Sequence, residues 1–447
     1  MSPEEAREWI AGREILGMRL GLERMTALLA ALGDPERTAP ALHVVGTNGK
    51  SSTTRLAAAA LGSGGAPVGA YLSPHISDWS ERIQVDGEPL DDEGFAAAAG
   101  AVRDAGRRLA LAEGDEVTQF EALTAAAFWS FREAGVAACV VEAGLGGRYD
   151  ATNVLQPGAA VALTNIALEH TDFLGDTEEA IAAEKLAVCA DGSDRLVVGR
   201  LSSQARAAVD AECARRGLRP LRYGAGVVAR ETPDGVEVVT PRAVYPALPL
   251  PLAGRFQRDN LAVAVAGAEM VGAGPLDGEA LAAAVARVRM PGRLEVVPGE
   301  PPIVLDGAHN PAGVEALVAS LPGVLTDRRR AVAVVSVLDD KDAGAMLKAL
   351  APAVDAILAT RSGHARATSP EDLAALAHGL GIPARAVEGP VDALRAARLE
   401  AGPDGMVLVT GSLYLLADLR ADALGEAADP PARLARARKG TDPSEAN

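Results

Sequence analysis

A short segment near the N-terminus has the residue types of a phosphate-binding loop. The predicted apolar strand Leu42–Val45 leads into it, and an Ala-rich helical stretch follows it. The residues at and after the turn are Gly46, Thr47, Asn48, Gly49, Lys50, Ser51 and Ser52. Glycines let backbone N–H groups turn toward phosphate oxygens, and the N-terminus of a helix adds positive potential. We therefore predict that this loop holds nucleotide phosphates, with Lys50 at the β- and γ-phosphates and a Ser hydroxyl at Mg²⁺.

The loop does not match the full G-x-x-x-x-G-K-[ST] pattern, because Val44 stands where the first Gly belongs. An ordinary Gly-rich turn between strand and helix is the plain alternative. The order strand, loop, Lys-Ser and helix favours phosphate binding. Which of Ser51 and Ser52 would contact the metal stays open at this point.

A second candidate is a carboxylate, Glu142, which follows the predicted strand Val136–Val141. Ligands of parallel sheets bind at the carboxyl ends of the strands. The glycines that follow, Gly144, Gly146 and Gly147, would allow close approach of the backbone to a ligand. The alternative is a bare turn with a surface Glu.

Other candidates have equally plain alternatives when the sequence is taken alone. His170 could be an ordinary loop histidine, Lys185 a solvated helix charge, and Asp306 a helix cap. Arg293 could form a salt bridge between domains, and Phe120 could belong to the core.

The elements that must position these residues alternate between short apolar runs and Ala-rich helical stretches. Such alternation is typical of βαβ units and a buried parallel sheet. The predicted strands are Leu42–Val45, Val68–Leu72, Val136–Val141, Ala159–Asn165, Leu196–Gly199, Ile303–Leu305, Ala331–Val337, Ala356–Ala359 and Met406–Thr410. Two helices are predicted in the first 35 residues, a β-hairpin around Asp234-Gly235, and a helix from Asn260 to about Met270.

Four prolines around residue 295 indicate a domain boundary, namely Pro291, Pro298, Pro301 and Pro302. The prediction is an α/β protein with a parallel-sheet P-loop ATPase domain over residues 1–295. A smaller Rossmann-like α/β domain is predicted over residues 296–425. The Pro- and charge-rich residues 426–447 are expected to be a disordered tail.

Composition excludes several classes of function for this chain of 447 residues. It is 49% hydrophobic, which excludes a wholly disordered protein. A net charge of −17 argues against general attraction to nucleic acid or to an anionic membrane. Residues 1–14 lack an apolar leader segment, and the three Cys have no metal-binding spacing, so a reducing cytoplasm is expected.

Several motifs together resemble the folylpolyglutamate synthase/dihydrofolate synthase family of the Mur ligase superfamily. The resemblance runs in consistent order from about residue 16 to residue 420. Besides the Gly-Thr-Asn-Gly-Lys-Ser loop, it is carried by Leu20–Arg24, Tyr71–His75, Phe120–Glu121, Glu142–Asn153, Glu169–Asp172, Glu184–Lys185, Pro291–Arg293, Asp306–Pro311 and Gly411–Tyr414.

This resemblance implies a role for particular residues. It implies catalytic roles for Lys50, His170 and Lys185, the last of them carbamylated, and two Mg²⁺ sites with Ser73, Glu142 and His170 as ligands. ATP would be bound by the loop together with Asn260, Arg293, Asp306 and His309. The folate pocket would be formed by Leu20, Gly21, Leu22, Phe120, Tyr149, Asp150 and Ala151.

The implied reaction is ATP-dependent addition of L-glutamate to dihydropteroate, to a tetrahydrofolate (poly)glutamate, or to both. The enzyme is expected to be a monomer with no nucleic-acid or membrane partner. One alternative is a Mur-type ligase that acts on a UDP-linked cell-wall precursor. The lack of an additional UDP-binding domain before residue 46 argues against it. The other alternative is a nucleotide-switch ATPase, whose hydrolysis would not respond to folates.

Overall fold

The computed structural model describes residues 1–14, 21–111, 115–323 and 330–425. It has two sheets with helices packed on them, so the predicted α/β class is confirmed. The predicted tail over residues 426–447 lies outside the described residues, as does Leu20. In the described ranges no helix is long and apolar enough to cross a membrane.

The first sheet has eleven strands, in the order β11-β10-β9-β8-β7-β6-β1-β5-β2-β3-β4. Its central strands run parallel, as the apolar runs predict. The strands are β1 (Ala41–Val45), β2 (Val68–Tyr71), β3 (Ile83–Val85), β4 (Glu88–Pro89), β5 (Ala138–Glu142), β6 (Ala160–Leu163), β7 (Leu196–Val198), β8 (Leu221–Tyr223), β9 (Gly226–Thr232), β10 (Gly235–Val239) and β11 (Val244–Leu248).

The second sheet has six strands, in the order β12-β13-β17-β14-β15-β16, and only β12 runs antiparallel to its neighbour. The strands are β12 (Glu295–Val297), β13 (Ile303–Leu305), β14 (Ala331–Val335), β15 (Ala356–Ala359), β16 (Ala384–Ala386) and β17 (Met406–Thr410). The predicted boundary near residue 295 falls where this sheet begins.

Helices cover the faces of both sheets and bury their apolar side chains. They are α1 (Pro3–Ala11), α2 (Glu23–Ala31), α3 (Lys50–Gly62), α4 (Asp92–Gly106), α5 (Gln119–Glu133), α6 (Thr171–Leu174), α7 (Glu178–Leu186), α8 (Ser203–Arg216), α9 (Arg255–Gly272), α10 (Gly278–Val285), α11 (Pro311–Ser320), α12 (Ala343–Leu350), α13 (Pro370–Gly379), α14 (Pro390–Ala401) and α15 (Leu413–Leu424). One core lies between the first sheet and the α3–α9 pair, and another lies under α4 and α5.

The central strand β1 is buried along its whole length, which is why it is almost entirely apolar. Its one polar residue, His43, is buried and has a partner, since its Nε2 lies 2.8 Å from Thr152 Oγ1. Burial lowers the pKa of His43 to about 4, so the ring is neutral. The hydrogen bond therefore satisfies a polar group inside an apolar layer.

Candidate active site

The predicted phosphate loop lies at the carboxyl edge of the first sheet, between β1 and α3. Gly46 has φ +145° and Gly49 has φ +81°, both in the region that favours glycine. Space is equally restrictive, because a Cβ on Gly46 would lie 1.9 Å from Thr164 Oγ1. Backbone geometry and close packing thus both require glycine here, as a loop that presents N–H groups to a ligand needs.

Residues at the end of β6 hold this loop in place. Thr164 Oγ1 donates to the Asn48 carbonyl at 2.6 Å, and Asn48 N donates to Asn165 Oδ1 at 2.8 Å. Thr47 N donates to the Asn165 carbonyl at 3.1 Å. The loop is therefore preorganised by its neighbour strand before any ligand binds.

Lys50 begins α3, and its ammonium folds back over the loop. Its Nζ donates to the carbonyls of Gly46 and Thr47 at 2.9 and 3.0 Å. Within the described ranges no ion pair involves Lys50. The charge is thus held by carbonyl groups that an anion could outcompete.

Glu142 brings oxygen-bearing side chains together beside the loop. It is the last residue of β5, and its carboxylate accepts from Ser51 Oγ at 2.9 Å and from Ser73 N at 3.2 Å. Burial raises its pKa to about 7, although the charge of Lys50 opposes this. Ser51, and not Ser52, is the loop hydroxyl that contacts Glu142.

This donor set suits Mg²⁺, which takes oxygen ligands and is commonly held by one or two carboxylates plus substrate phosphates. A divalent cation would also neutralise the buried carboxylate of Glu142. Over the residues that the structure describes, no group of three or more His, Cys, Asp or Glu could form an all-protein metal site. The arrangement therefore fits a metal that shares its ligands with a nucleotide.

Lys185 is buried beneath the loop and is not the solvated helix charge that the sequence alone suggests. Its Nζ donates to the Gly46 carbonyl at 2.9 Å and to Glu169 Oε1 at 2.7 Å. Burial lowers the pKa of Lys185 to about 8. Burial opposes ionisation of Glu169 as well, yet the charges of Lys50 and Lys185 lower the pKa of Glu169 to about 2.

His170 follows Glu169 and lies in the wall of the cleft that contains the loop. Its backbone has φ +46°, which is uncommon outside glycine, and it is the N-cap residue of α6. Burial lowers its pKa, and the charge of Lys341 from the second sheet lowers it further.

The second sheet provides the opposite wall of this cleft. Asp306 follows β13, and its carboxylate accepts from the backbone N–H groups of Leu294 and Ala308, both at 2.9 Å. Asp306 therefore fixes the turns that carry Arg293 and His309. Asn310, the N-cap of α11, donates from Nδ2 to Asn48 Oδ1 at 3.2 Å. The two walls touch directly at this hydrogen bond.

Most of the predicted nucleotide-binding residues line this cleft, which has a volume of about 410 Å³ and is called the nucleotide cleft below. The members are Thr47, Asn48, Gly49, Lys50, Ser51, Ser52, Ser73, Glu142, His170, Asn260, Arg293, Asp306 and His309. Asn260, on α9, lies so close to the loop that a Cβ on Gly49 would be 2.7 Å from its Oδ1. Gly46, at the start of the loop, and Lys185, beneath the loop, do not line the cleft.

A second cavity of about 440 Å³ adjoins the nucleotide cleft and contains most of the predicted folate-binding residues. They are Gly21, Phe120, Tyr149, Asp150 and Ala151. Leu22 is half-buried at the start of α2 but does not line the cavity. Ser73, Gln119 and Gly144 line both cavities, so the two spaces meet beside Glu142.

The carboxylate of Asp150 is engaged within its own loop. It accepts from the N–H groups of Leu145 and Thr152 at 2.8 and 3.0 Å, and from the Thr152 hydroxyl. Its role in the second cavity is therefore to shape the Gly-rich turn that follows Glu142.

Among the side chains in the wall of the nucleotide cleft to which the sequence analysis gave no role are Trp79, Arg82 and Lys341. None of these three directly follows a predicted parallel strand. Glu169 and Tyr414 were within quoted motifs without a role of their own. The positions of all these residues in the cleft wall became evident only from the structure.

Two family models match the chain. The Mur ligase middle domain matches residues 44–268, and the Mur ligase glutamate ligase domain matches residues 292–413. A Bacillus subtilis dihydrofolate synthase/folylpolyglutamate synthase is 35% identical over 93% of this chain and 98% of its own length. A Lacticaseibacillus casei folylpolyglutamate synthase is 35% identical over 90% of this chain and 94% of its own.

The chain belongs to the dihydrofolate synthase/folylpolyglutamate synthase family. Solved structures of this family agree with the fold. The Mycobacterium tuberculosis folylpolyglutamate synthase complexed with ADP has a TM-score of 0.86 and 32% identity, covering 94% of this chain and 98% of that one. An Escherichia coli relative in complex with DHPP and ADP has a TM-score of 0.83 and 29% identity, covering 94% and 97%.

Membership of this family confirms the predicted family, fold class and enzyme class, an ATP-dependent glutamate ligase. It also supports ATP and small molecules as the substrates. The roles of individual residues, the metal ions and the domain limits stay predictions.

Proposed function

We propose that this chain joins L-glutamate to dihydropteroate, to a tetrahydrofolate (poly)glutamate, or to both, using ATP. The observation that carries the proposal is the junction of two cavities beside Glu142. One cavity contains the phosphate loop, and the other contains the predicted folate-binding residues. A relative that binds DHPP and ADP together supports the same pairing of ligands.

A carboxylate is a poor electrophile, so the reaction must activate it first. The acceptor carboxylate attacks the γ-phosphorus of ATP, and ADP leaves, giving an acyl phosphate. The amine of L-glutamate then attacks the acyl carbon, inorganic phosphate departs, and an amide remains. The chain's part is alignment and charge neutralisation, with Lys50 at the transferred phosphoryl group.

The residues proposed to hold two magnesium ions are Ser73, Glu142 and His170, together with Ser51 of the loop. When bound, Mg²⁺ would neutralise phosphate oxygens. The contacts Ser51–Glu142 and Ser73–Glu142 support this assignment, because they gather hydroxyl and carboxylate oxygens next to the loop.

Lys185 is proposed to be carbamylated, with its neutral amine attacking CO₂ and losing a proton. Burial favours this, because a pKa of about 8 leaves part of the amine uncharged near neutral pH. The product would be an anion beneath the phosphate loop, where Lys185 Nζ now contacts the Gly46 carbonyl.

Residues 1–295 are proposed as the ATP- and folate-binding domain and residues 296–425 as the domain that brings glutamate. The match of residues 292–413 to a glutamate ligase domain supports this division. We further propose a cytoplasmic monomer that acts without nucleic acid or a membrane.

ADP release tests the proposal and its alternatives in one assay. The enzyme receives ATP, Mg²⁺ and L-glutamate, together with dihydropteroate, tetrahydrofolate or a UDP-muramyl precursor. We expect stimulation by dihydropteroate, tetrahydrofolate or both. Stimulation only by the UDP-muramyl precursor indicates a cell-wall ligase, and ADP release that no acceptor changes indicates a switch ATPase.

A further inference from the structure

Arg82 is a buried cation in the wall of the nucleotide cleft, and no carboxylate among the described residues pairs with it. It ends a single 3₁₀ turn, Trp79–Arg82, and only 9% of its surface is exposed. Its Nε donates to His75 Nδ1 at 2.9 Å, and its Nη1 lies 3.5 Å from Ser73 Oγ. In the part of the chain that the structure describes, it forms no ion pair.

The groups around Arg82 do not compensate its charge. Arg82 packs over the ring of Trp79, 5.1 Å from the centroid. The Nδ1 of His75 accepts from Arg82 Nε, the Ser73 hydroxyl lies 3.5 Å from Nη1, and neither group carries a negative charge. The carboxylate of Glu142 acts on Arg82 through its charge, but it already accepts from Ser51 and Ser73.

An uncompensated buried guanidinium is costly, and arginine does not deprotonate in proteins. Arg24, whose side chain is 11% exposed, is by contrast paired, since it bonds to Glu121 and Asp115 at 2.8 and 2.9 Å. Arg82 faces a cavity instead of a carboxylate and is therefore suited to an anion that enters from that cavity.

The position of Arg82 narrows the choice of anion. It lines the nucleotide cleft but not the second cavity, whereas Ser73 lines both. An anion at Arg82 therefore lies across Ser73 from the predicted folate pocket, on the side where Tyr414 of α15 also lines the cleft. The triphosphate belongs to the loop, and the reacting acceptor carboxylate must reach the junction beside Glu142. Of the anions in the reaction, this leaves the carboxylates of the incoming amino acid as candidates for Arg82.

We infer that Arg82 binds the α-carboxylate of the incoming L-glutamate, an inference that rests on the proposed function. The α-carboxylate is one carbon away from the attacking amine, so it must lie close to the junction, as Arg82 does through Ser73. Nε donates to His75 and Nη1 contacts Ser73 Oγ, but the two terminal nitrogens carry four N–H groups between them, so donors are left for a carboxylate. Arg82 thereby places the amine for attack from the cleft side.

The test measures the KM for L-glutamate in Arg82→Met and in Arg55→Met, from steady-state ADP release with dihydropteroate as acceptor. Arg55 is the control, since it is half-buried, forms no ion pair in the described ranges, donates to Gln84 Oε1, and does not line the cleft. We expect Arg82→Met to raise the KM for L-glutamate about 10- to 100-fold, the effect of losing a charge-assisted hydrogen bond. Its KM for ATP and the glutamate KM of Arg55→Met should change less than about twofold. An unchanged glutamate KM in Arg82→Met overturns the inference.

Two amides of L-glutamate, the α-amide and the γ-amide, show which of its carboxylates binds Arg82. Wild-type enzyme can use them, so the test stays valid if Arg82→Met does not fold. Wild-type enzyme should prefer L-glutamate over its α-amide by at least about tenfold in kcat/KM. Arg82→Lys keeps the positive charge but loses the paired donors of the guanidinium. It should reduce the preference for L-glutamate over the α-amide more than it reduces the preference for L-glutamate over the γ-amide, L-glutamine. Equal use of the α-amide by wild type, or loss of γ-amide discrimination instead, overturns the assignment. Wild-type ADP release that is independent of glutamate contradicts the proposed function itself, and this inference with it.

Discussion

At the residue scale, Lys50 has a charge that is held only by weak partners. Its ammonium bonds to two carbonyls of its own loop, Gly46 and Thr47, while Glu142 is engaged by Ser51 and Ser73. A triphosphate offers Lys50 stronger, charged acceptors. The protein alone thus leaves its loop cation available for a substrate.

We predict that Lys50→Ala lowers kcat by about 100- to 1,000-fold or more, the usual effect of removing a preorganised donor to developing charge. The circular dichroism spectrum and the free energy of unfolding should stay close to those of wild type, since the ammonium forms no buried ion pair. Lys348→Ala is the control, because Lys348 is exposed on α12 and does not line the cleft. Wild-type turnover in Lys50→Ala contradicts the phosphate-loop assignment.

Lys185 gives a prediction with a definite pH direction. Carbamate forms from the neutral amine, and a pKa of about 8 means that the neutral fraction rises as pH increases through 8. At constant dissolved CO₂, a ¹³C carbamate signal from labelled bicarbonate should grow from pH 7 to pH 9. It should be absent in Lys185→Met and present in Lys348→Met. Wild-type enzyme without this signal at pH 9 would show that the lysine is unmodified.

The sequence located residues at or just after the carboxyl ends of strands, because parallel strands bring their carboxyl ends to one edge of the sheet. Glu142 and Asp306 are examples. It did not locate Arg82, which reaches the cleft from a 3₁₀ turn before an antiparallel strand. It also did not show that Lys185 is buried, since burial depends on which helix face meets the loop.

At the element scale, the phosphate loop depends on the contacts of its glycines more than on their flexibility alone. Gly49 and Gly65 share φ +81°, so alanine imposes a similar backbone strain of about 1–2 kcal/mol at both positions. They differ in space: a Cβ on Gly49 would lie 2.7 Å from Asn260 Oδ1, whereas a Cβ on Gly65 meets nothing within 4 Å.

Gly49→Ala should therefore weaken ATP binding at least about tenfold, because the loop or Asn260 must move. Gly65→Ala should lower the free energy of unfolding by about 1–2 kcal/mol, as Gly49→Ala does through backbone strain, but it should leave ATP affinity unchanged. Isothermal titration calorimetry with ATP and chemical denaturation measure the two quantities. Equal ATP affinity in both variants would indicate that the nucleotide does not contact this turn.

Element types were predicted better than element limits. The strand predicted at Val136–Val141 forms over Ala138–Glu142, so Glu142 ends the strand instead of following it. The hairpin around Asp234-Gly235 is present as β9 and β10, but a third strand, β11, extends it. Short polar-apolar runs at a sheet edge have too little apolar pattern to define such a strand.

At the scale of the whole molecule, one buried histidine, His43, and two half-buried ones, His75 and His309, link stability to pH. Burial lowers the pKa of His43 and His309 to about 4 and that of His75 to about 3. The unfolded chain binds protons near pH 6.5, where the folded chain does not. Their contribution is complete above pH 6.5 and is lost as pH falls toward 4.

The free energy of unfolding should therefore fall on acidification from pH 7 to pH 5, with His43 responsible for about 2 kcal/mol of the loss. His43→Gln should lose about 2 kcal/mol less than wild type over this interval, whatever its stability at pH 7. Urea denaturation at the two pH values measures this difference. The same loss in both proteins would contradict a buried, neutral His43.

The proposed reaction unites the two walls of the cleft, which meet at Asn48 and Asn310. The family relationship establishes the ligase class, and the central claim is that the phosphate loop transfers a phosphoryl group to the acceptor's own carboxylate. Oxygen isotopes follow that step directly. An oxygen of the acceptor must leave with phosphate when the amide forms.

The decisive measurement uses dihydropteroate labelled with ¹⁸O in its carboxylate, together with ATP, Mg²⁺ and L-glutamate. Mass spectrometry of the released inorganic phosphate should show one ¹⁸O atom per turnover in the wild-type enzyme. Lys50→Ala should release almost no labelled phosphate. Unlabelled phosphate accompanying amide formation by the wild-type enzyme would contradict the acyl phosphate and the proposed role of the loop.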